Sequence, residues 1–281
     1  MTVQSALRQG CRLLEDAAVP AARLTAEVLL ARALGRERVY LYSHPEDELS
    51  EMAWLHFGRY LKERLDGVPT QYITRHQEFY GRDFLVTPDV LIPRPETEHV
   101  IEEALALELA SARGAALRVL DVGCGSGAIA VTLSLELRCG VAACDISLTA
   151  LKVAAENARR LQARVHFTAG DISTCFAARS FDLVVSNPPY VAQSDAEGLQ
   201  PEVRDHEPHV ALFAGPTGNE VYEKLIADAA RVLAPGGWLV MELGYRSLDA
   251  VRAMIGDAWD KVHTREDLAG YPRVIAARYQ P

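Results

Sequence analysis

Four residues with little acid–base chemistry of their own raise the first chemical question. Asn187, Pro188, Pro189 and Tyr190 follow the apolar run 181–185 and bring an amide, two rings without an N–H, and a phenol. Pro188 and Pro189 cannot donate from the backbone, and each biases the residue before it toward extended geometry. The chain after Val185 must therefore leave the strand, and it presents carbonyl oxygens that neither proline answers. The Asn187 side chain adds an acceptor, and Tyr190 adds a flat face. Two acceptors and a face suit an NH2 group in a planar π system, whose lone pair is delocalised and weakly nucleophilic. Gripping both hydrogens and aiming the lone pair at a methyl donor is catalysis by orientation and electrostatics. No strong base is needed, because the nitrogen becomes acidic as it gains the methyl group. The bland alternative, a proline-rich turn that merely ends a strand, leaves its place on a nucleotide-type core without a reason.

A second constellation lies upstream. Gly123, Cys124, Gly125, Ser126 and Gly127 form the centre of DVGCGSGAIA, residues 121–130, between a predicted strand and a predicted helix. Spaced glycines let backbone approach a ligand at a helix N-terminus, and ligands of open α/β sheets sit at the carboxyl ends of strands. The motif is ambiguous: Gly125, Gly127 and Ala130 also satisfy the dinucleotide pattern G-x-G-x-x-A. Asp145, 18 residues past Gly127, suits the two hydroxyls of a ribose, whether of NAD or of S-adenosylmethionine. Asp171 and Ile172 end another strand, where they suit the exocyclic amine and ring of adenine. Asp121 is placed to hold the loop and the cationic end of a ligand. Cys124 has no neighbouring His and reads as packing rather than as a nucleophile.

The elements that must position these groups follow from periodicity. Residues 1–75 read as a small helical bundle. Val3, Ala6, Leu7, Leu13, Leu14 and Ala17 fall on helical spacing, as do Leu24, Val28, Leu29 and Ala33, then Met52, Leu55, Leu61 and Leu65. Residues 76–95, rich in aromatic and β-branched residues and proline, read as a β-hairpin or extended linker. Residues 96–281 begin with a helix over 97–110. Strands and helices then alternate: strands at 117–123, 140–146, 164–171, 181–187, 236–244 and 271–279, helices at 128–137, 148–161, 220–233 and 247–258. That alternation predicts an α/β fold with a doubly wound, mostly parallel sheet.

Composition narrows the class. Of the 281 residues, 49% are hydrophobic and 24% charged, with a net charge of −9, a profile that buries a real core and does not favour a phosphate-binding surface. Five cysteines without a CxxC pair argue against a disulfide framework or zinc site. No H-E-x-x-H motif occurs, so no metal is expected. Neither a signal peptide nor a membrane span is read. The expectation is a cytoplasmic protein without membrane contact.

Taken together, DVGCGSG, the CDIS strand end, AGD and SNPPY resemble the class I S-adenosylmethionine-dependent methyltransferases that act on planar nitrogen. YGRDFLVTPDVLIPRPETE, PEVRDHEPHVALFAG and DLAGYPRVIAARY make the chain resemble, more narrowly, the release factor glutamine methyltransferase family. The resemblance covers essentially the whole chain, most firmly 76–281. It implies methyl transfer from S-adenosylmethionine, leaving S-adenosylhomocysteine, to the side-chain N5 of the glutamine in the Gly-Gly-Gln loop of class I peptide chain release factors, and so an effect on translation termination. It implies that the helical lobe helps bind the factor. By position, Gly123–Gly127, Asp145, Asp171 and Ile172 would hold the cofactor, with Asn187 close to the methyl donor. Asn187, Pro188, Pro189 and Tyr190 would bind the glutamine, with Arg94 helping to place the substrate loop. Some members carry an aromatic residue where Ile172 stands; apolar packing on adenine is the expectation here. Arg204, His206 and His209 fall in a segment expected to act as a lid. A monomer without direct nucleic-acid contact is expected.

Three other readings compete. Adenine-N6 methyltransferases and a sister group that modifies a ribosomal-protein glutamine share the same turn; acidity and the linker motifs argue against a DNA enzyme. An NAD-dependent oxidoreductase accounts for the glycines and Asp145 but leaves 187–190 idle. A silent S-adenosylmethionine-binding module would have no use for an intact turn.

Overall fold

The computed structural model describes residues 1–109 and 116–281, and they divide into two units. One comprises Met1–His76 and Gln200–His206, the other Gln77–Leu199 and Glu207–Pro281.

The first unit is helical: α1 (Val3–Asp16), α2 (Ala22–Leu34), α3 (Arg38–Ser43), α4 (Glu51–Leu65), α5 (Thr70–Thr74) and, from later in the chain, α9 (Pro201–His206). Helix α1 starts on a capping box in which Thr2 and Ser5 each accept the other's backbone N–H, satisfying donors the helix end leaves open. Val3, Ala6 and Leu14 of α1 and Ala26, Leu29 and Leu30 of α2 are buried. On α4 the buried face is Ala53, Phe57, Leu61 and Arg64, whereas Met52 and Leu55, expected to point inward, are exposed. Gly10 of α1 explains the choice: a Cβ there would come within 2.6 Å of the Phe57 ring, so the missing side chain admits the largest one. Glu27, buried on α2, accepts from Arg23, Arg38 and Tyr42. Burial pushes its carboxyl up, but these bonds outweigh it and hold it below the usual range.

The second unit opens with a hairpin, β1 (Gln77–Phe79) and β2 (Arg82–Phe84). Tyr80 and Gly81 between them have φ of 52° and 70°, as a two-residue turn matched to strand twist requires. Phe79 and Phe84 are buried edge to face. Helix α6 (Glu98–Ala106) follows; the helix expected over 97–110 has its last residue outside the described residues.

The remaining elements build one sheet. Its strands are β3 (Val119–Val122), β4 (Val141–Asp145), β5 (Val165–Ala169), β6 (Phe181–Ser186), β9 (Leu233–Glu242), β10 (Trp259–Glu266) and β11 (Pro272–Tyr279), and a small pair, β7 (Val191–Ala192) and β8 (Phe213–Gly215), lies apart. The order is β10-β11-β9-β6-β3-β4-β5, parallel from β9 to β5, with β11 antiparallel to both neighbours. The two faces are read off the strands. Val119, Leu183, Val185, Val240 and Val274 enter one apolar cluster with Ile129, Val131 and Leu133 of α7 (Ala128–Leu137) and Ala154 of α8 (Leu148–Leu161). Leu120, Val184, Leu239, Met241 and Ile275 enter the other with Tyr222, Leu225 and Ala229 of α11 (Glu220–Val232) and Val251 of α12 (Leu248–Met254). Alternating side chains buried on both faces read as continuous apolar runs, which is why these strands were legible. Strand β10 was not among those expected. Beyond the buried Trp259 it is polar and bulged, and it is paired by Arg278–Asp260 and His263–Glu103 rather than by apolar spacing. Among the described residues no helix is long and apolar enough to cross a membrane.

Candidate active site

The carboxyl ends of β3, β4 and β6 converge on a cleft of about 230 Å³, lined among others by Gly123, Gly125, Asp145, Ile146, Asp171, Ile172, Asn187, Pro188 and Pro189. The apolar remainder of its wall includes Leu91, Val210, Phe213 and Leu225. The structure thus brings the glycine loop, three strand ends and the 187–189 turn to one place.

Gly123, Gly125 and Gly127 all have positive φ, 69°, 53° and 81°, a region that favours glycine. Their purposes differ. A Cβ on Gly123 or Gly125 would meet no atom within 4 Å, whereas one on Gly127 would sit 3.1 Å from the Ala154 Cβ. The first two leave an open cradle; the third lets α7 approach α8. Cys124 and Ser126 are buried, and burial pushes the Cys124 thiol well up, so it stays protonated. A residue not foreseen from sequence secures the loop. Asn157 of α8, fully buried, donates to the Ser126 and Leu85 carbonyls at 2.9 Å and accepts from Leu85 N–H at 2.7 Å.

The carboxylates are held in order. Asp145 accepts from Gly125 N–H and Ser147 N–H, each at 2.8 Å, so it braces the loop that it faces. Burial raises its carboxyl against those two bonds. Asp121, wholly buried, accepts from Ala130 N–H at 3.0 Å through Oδ2, while Oδ1 has no hydrogen-bond partner. Burial pushes its carboxyl up to about 7, opposed by the Ala130 bond and reinforced by Asp145. A buried, unanswered oxygen beside a glycine cradle is a place a cationic group would satisfy. Asp171 is exposed at the cleft edge, and Ile172 half-lines it at φ 53°, a strained conformation for a β-branched residue. The Ile172 carbonyl accepts from the Cys144 thiol, Ser173 N–H and Oγ–H donate to Asp228, and Arg231 donates to the Ser173 and Phe176 carbonyls. Those bonds hold the turn in place.

The other half of the site rests on long-range partners. Ser186 Oγ–H donates to the Val122 carbonyl at 2.7 Å, tying the end of β6 to β3. Asn187 Nδ2 donates to Thr97 Oγ1 at 3.0 Å; Thr97 Oγ1–H donates to Glu242 Oε2 at 2.6 Å. Tyr190 turns away from the cleft into an adjacent recess shared with Gly244 and Tyr245, and its hydroxyl makes a long, 3.4 Å contact to Glu242 Oε1. Burial pushes its phenol up. Gly244 must be glycine, since a Cβ there would lie 2.8 Å from the Tyr190 ring. Glu242 is buried, and burial raises its carboxyl to about 7 against the bonds from Thr97 and Tyr190. Thr97 and Glu242 were not singled out in the sequence. Glu242 left one sign, a lone carboxylate closing the apolar strand 236–244; Thr97 left none.

Arg94 and the expected lid residues stand apart. Arg94 is outside the cleft lining, its guanidinium paired with Glu207, whose other oxygen accepts from Ile92 N–H at 3.2 Å. Arg204 and His206 lie in α9, while His209 begins a short helix, α10 (His209–Leu212), whose Val210 and Ala211 line the cleft. The segment expected as a lid is thus two short helices divided between the units.

Comparisons with known proteins show the family and the fold. A family model described as the PrmC N-terminal domain matches residues 5–74, and one described as the Methyltransferase small domain matches residues 102–201. A curated protein of Koribacter versatilis (strain Ellin345), named release factor glutamine methyltransferase, is 46% identical over 280 residues, 99% of this chain and 99% of its own. A protein of the same name from Bacillus subtilis (strain 168) is 40% identical over 258 residues, 90% of each. Among solved structures, a methyltransferase from Pyrococcus furiosus aligns with a TM-score of 0.53 at 21% identity, covering 72% of this chain and 90% of that one. The hMettl16 catalytic domain aligns at 0.56 and 19%, covering 79% and 81%. These two share the fold, a class I methyltransferase fold.

Proposed function

The chain belongs to the release factor glutamine methyltransferase family, and from that premise we propose that it methylates the side-chain N5 of the glutamine in the Gly-Gly-Gln motif of class I peptide chain release factors. The observation that carries the reading is the shared cleft: the 187–189 turn and the glycine cradle line the same cavity. When bound, S-adenosylmethionine supplies the electrophilic methyl carbon and leaves as S-adenosylhomocysteine. Gly123, Gly125 and Asp145 would hold it, with Asp171 and Ile172 near the adenine; the open Cβ positions and the unanswered Asp121 oxygen fit such a group.

The chain's own residues do the rest. Asn187 Oδ1 and the Pro188 carbonyl accept the two amide hydrogens of the glutamine, and the prolines keep backbone donors away from it. Orientation replaces basicity, since the amide nitrogen sheds its proton once alkylated. Tyr190 closes the turn. Arg94, fixed by Glu207, steadies the linker that precedes Thr97. The reading includes a cytoplasmic, monomeric enzyme that meets protein rather than nucleic acid.

Labelled-methyl transfer to a purified class I release factor tests it, beside a factor whose Gly-Gly-Gln glutamine is replaced. Label on the first alone is the expected result. Label on neither, with cofactor bound, would overturn the substrate assignment.

A further inference from the structure

An Asn carboxamide is nearly symmetric in shape and opposite in chemistry at its two ends. For Asn187 to accept a substrate N–H, Oδ1 must face the cleft and Nδ2 must face away. The turn itself cannot enforce this, because neither proline has an N–H to hold Oδ1 or repel Nδ2.

We infer that Thr97 and Glu242 are positioning residues that set which way round the Asn187 carboxamide stands; this rests on Asn187 being the acceptor for the substrate amide. The chain of donors runs one way. Asn187 Nδ2–H donates to Thr97 Oγ1, and Thr97 Oγ1–H donates to the Glu242 carboxylate. Thr97 has one hydroxyl proton. While Glu242 is ionised it can only accept, so that proton is committed to it. The threonine oxygen then faces Asn187 with lone pairs alone. An inverted Asn187 would oppose Oδ1 to those lone pairs in a site where Thr97 is 4% and Glu242 2% exposed, leaving a buried acceptor unanswered. The carboxylate also receives Tyr190, so one residue registers both ends of the turn. Its own place is fixed from behind: Tyr222 donates to the Glu242 carbonyl and accepts from Gly244 N–H, both at 3.0 Å.

The same wiring makes polarity depend on protonation. A protonated Glu242 can donate to Thr97, and Thr97 can then donate to Asn187 Oδ1, turning the amide round. The other groups acting on Glu242 are Glu96, which favours its protonation, and Arg273, which opposes it, with Tyr190 and Thr97 bonded to it.

The test uses full-length protein with selectively 15N-labelled asparagine, alongside turnover on release factor. In the wild type the Asn187 side-chain amide protons are shifted and protected from exchange. Thr97→Val removes that signature and lowers kcat about 100-fold, the scale of a misplaced reacting group, with cofactor affinity unchanged. Thr97→Ser, which keeps the hydroxyl, restores both to within about 3-fold, less than the worth of one net hydrogen bond. Glu242→Gln, which can present either end of its amide to Thr97, flattens the acid limb of the kcat–pH profile. An Asn187 amide signal unchanged by Thr97→Val, or Thr97→Ser falling as far as Thr97→Val, would overturn the inference. The substrate reading fails separately: a wild type that labels no release factor, with the Thr97-dependent amide signature intact, would sink that reading and leave the orienting device standing.

Discussion

Two loops at neighbouring strand ends solve the same problem of ligand contact in opposite ways. The glycine loop after β3 gains its shape from freedom: three residues with positive φ and two open Cβ positions let backbone itself be the surface. The turn after β6 gains its shape from restriction. Two prolines remove donors, and one side chain is held by partners 90 residues upstream and, through Thr97, on β9. The first loop is braced by several bonds, between Asp145 and Gly125, between Asn157 and Ser126, and between Ala130 and Asp121 at its flanks. The second hangs on single long-range bonds. A loop built on backbone should therefore tolerate a side-chain change at its non-glycine position Cys124 better than a turn built on one oriented amide tolerates the loss of that amide.

The sharpest break of that comparison is Asn187→Ala. Methyl transfer should fall about 10³-fold, as when an oriented polar group of a transition-state site is removed, while cofactor Kd by calorimetry stays within a few-fold. Equal loss of both would mean that the turn holds cofactor. Asp145→Ala should do the reverse, raising cofactor Kd about 10²-fold by removing charged hydrogen bonds and sparing kcat at saturation. A fall in kcat instead would erase the division of labour between the loops.

Glu242→Gln probes what the second loop costs. Burial raises this carboxyl from 4.5 to about 7, so the folded state holds the proton more tightly than the unfolded chain. The wild type therefore loses stability as pH rises from about 4.5 through about 7. The variant should melt higher than the wild type at pH 8, by about 1–3 kcal/mol, with the gap closing toward pH 5. A gap that does not change with pH would show that Glu242 is already ionised without cost. Asp121, raised in the same way, is present in both proteins and cancels. The smallest effect is reserved for Cys124→Ser, under about 3-fold in turnover, because a buried thiol held protonated neither attacks nor binds. A larger loss would mean that the thiol side chain, not only the backbone, forms part of the cradle.

The contrast also explains what the sequence disclosed. The glycine loop was legible because its ligand contacts and its conformation are properties of consecutive residues. Helices 128–137 and 148–161 were read to their ends as well, the second marked locally by its amphipathic spacing and its Ser147 cap. Thr97 was invisible: a threonine at the start of an expected helix has no local mark of a partner 145 residues away. Strand β10 escaped because an edge strand buried on one side only, with a bulge, carries no continuous apolar run. The face of α4 was misjudged because Met52 and Leu55 outweigh Ala53 in hydrophobicity, whereas the packing answer lay in Gly10, a residue without a side chain.

One further property follows from the way the helical unit is assembled. Arg64, 8% exposed, meets the Glu202 carboxylate at 2.7 Å, and that carboxylate arrives on Gln200–His206, the last piece of the unit to be synthesised. Translation at about 5–20 residues per second leaves the first 76 residues outside the ribosome for on the order of ten seconds before the missing helix emerges. During that interval Arg64 lacks the carboxylate that pairs with it in the finished unit. The protein's first region to be made is thus among the last to be finished, and its completion reports that the catalytic turn upstream of Gln200 has already been translated.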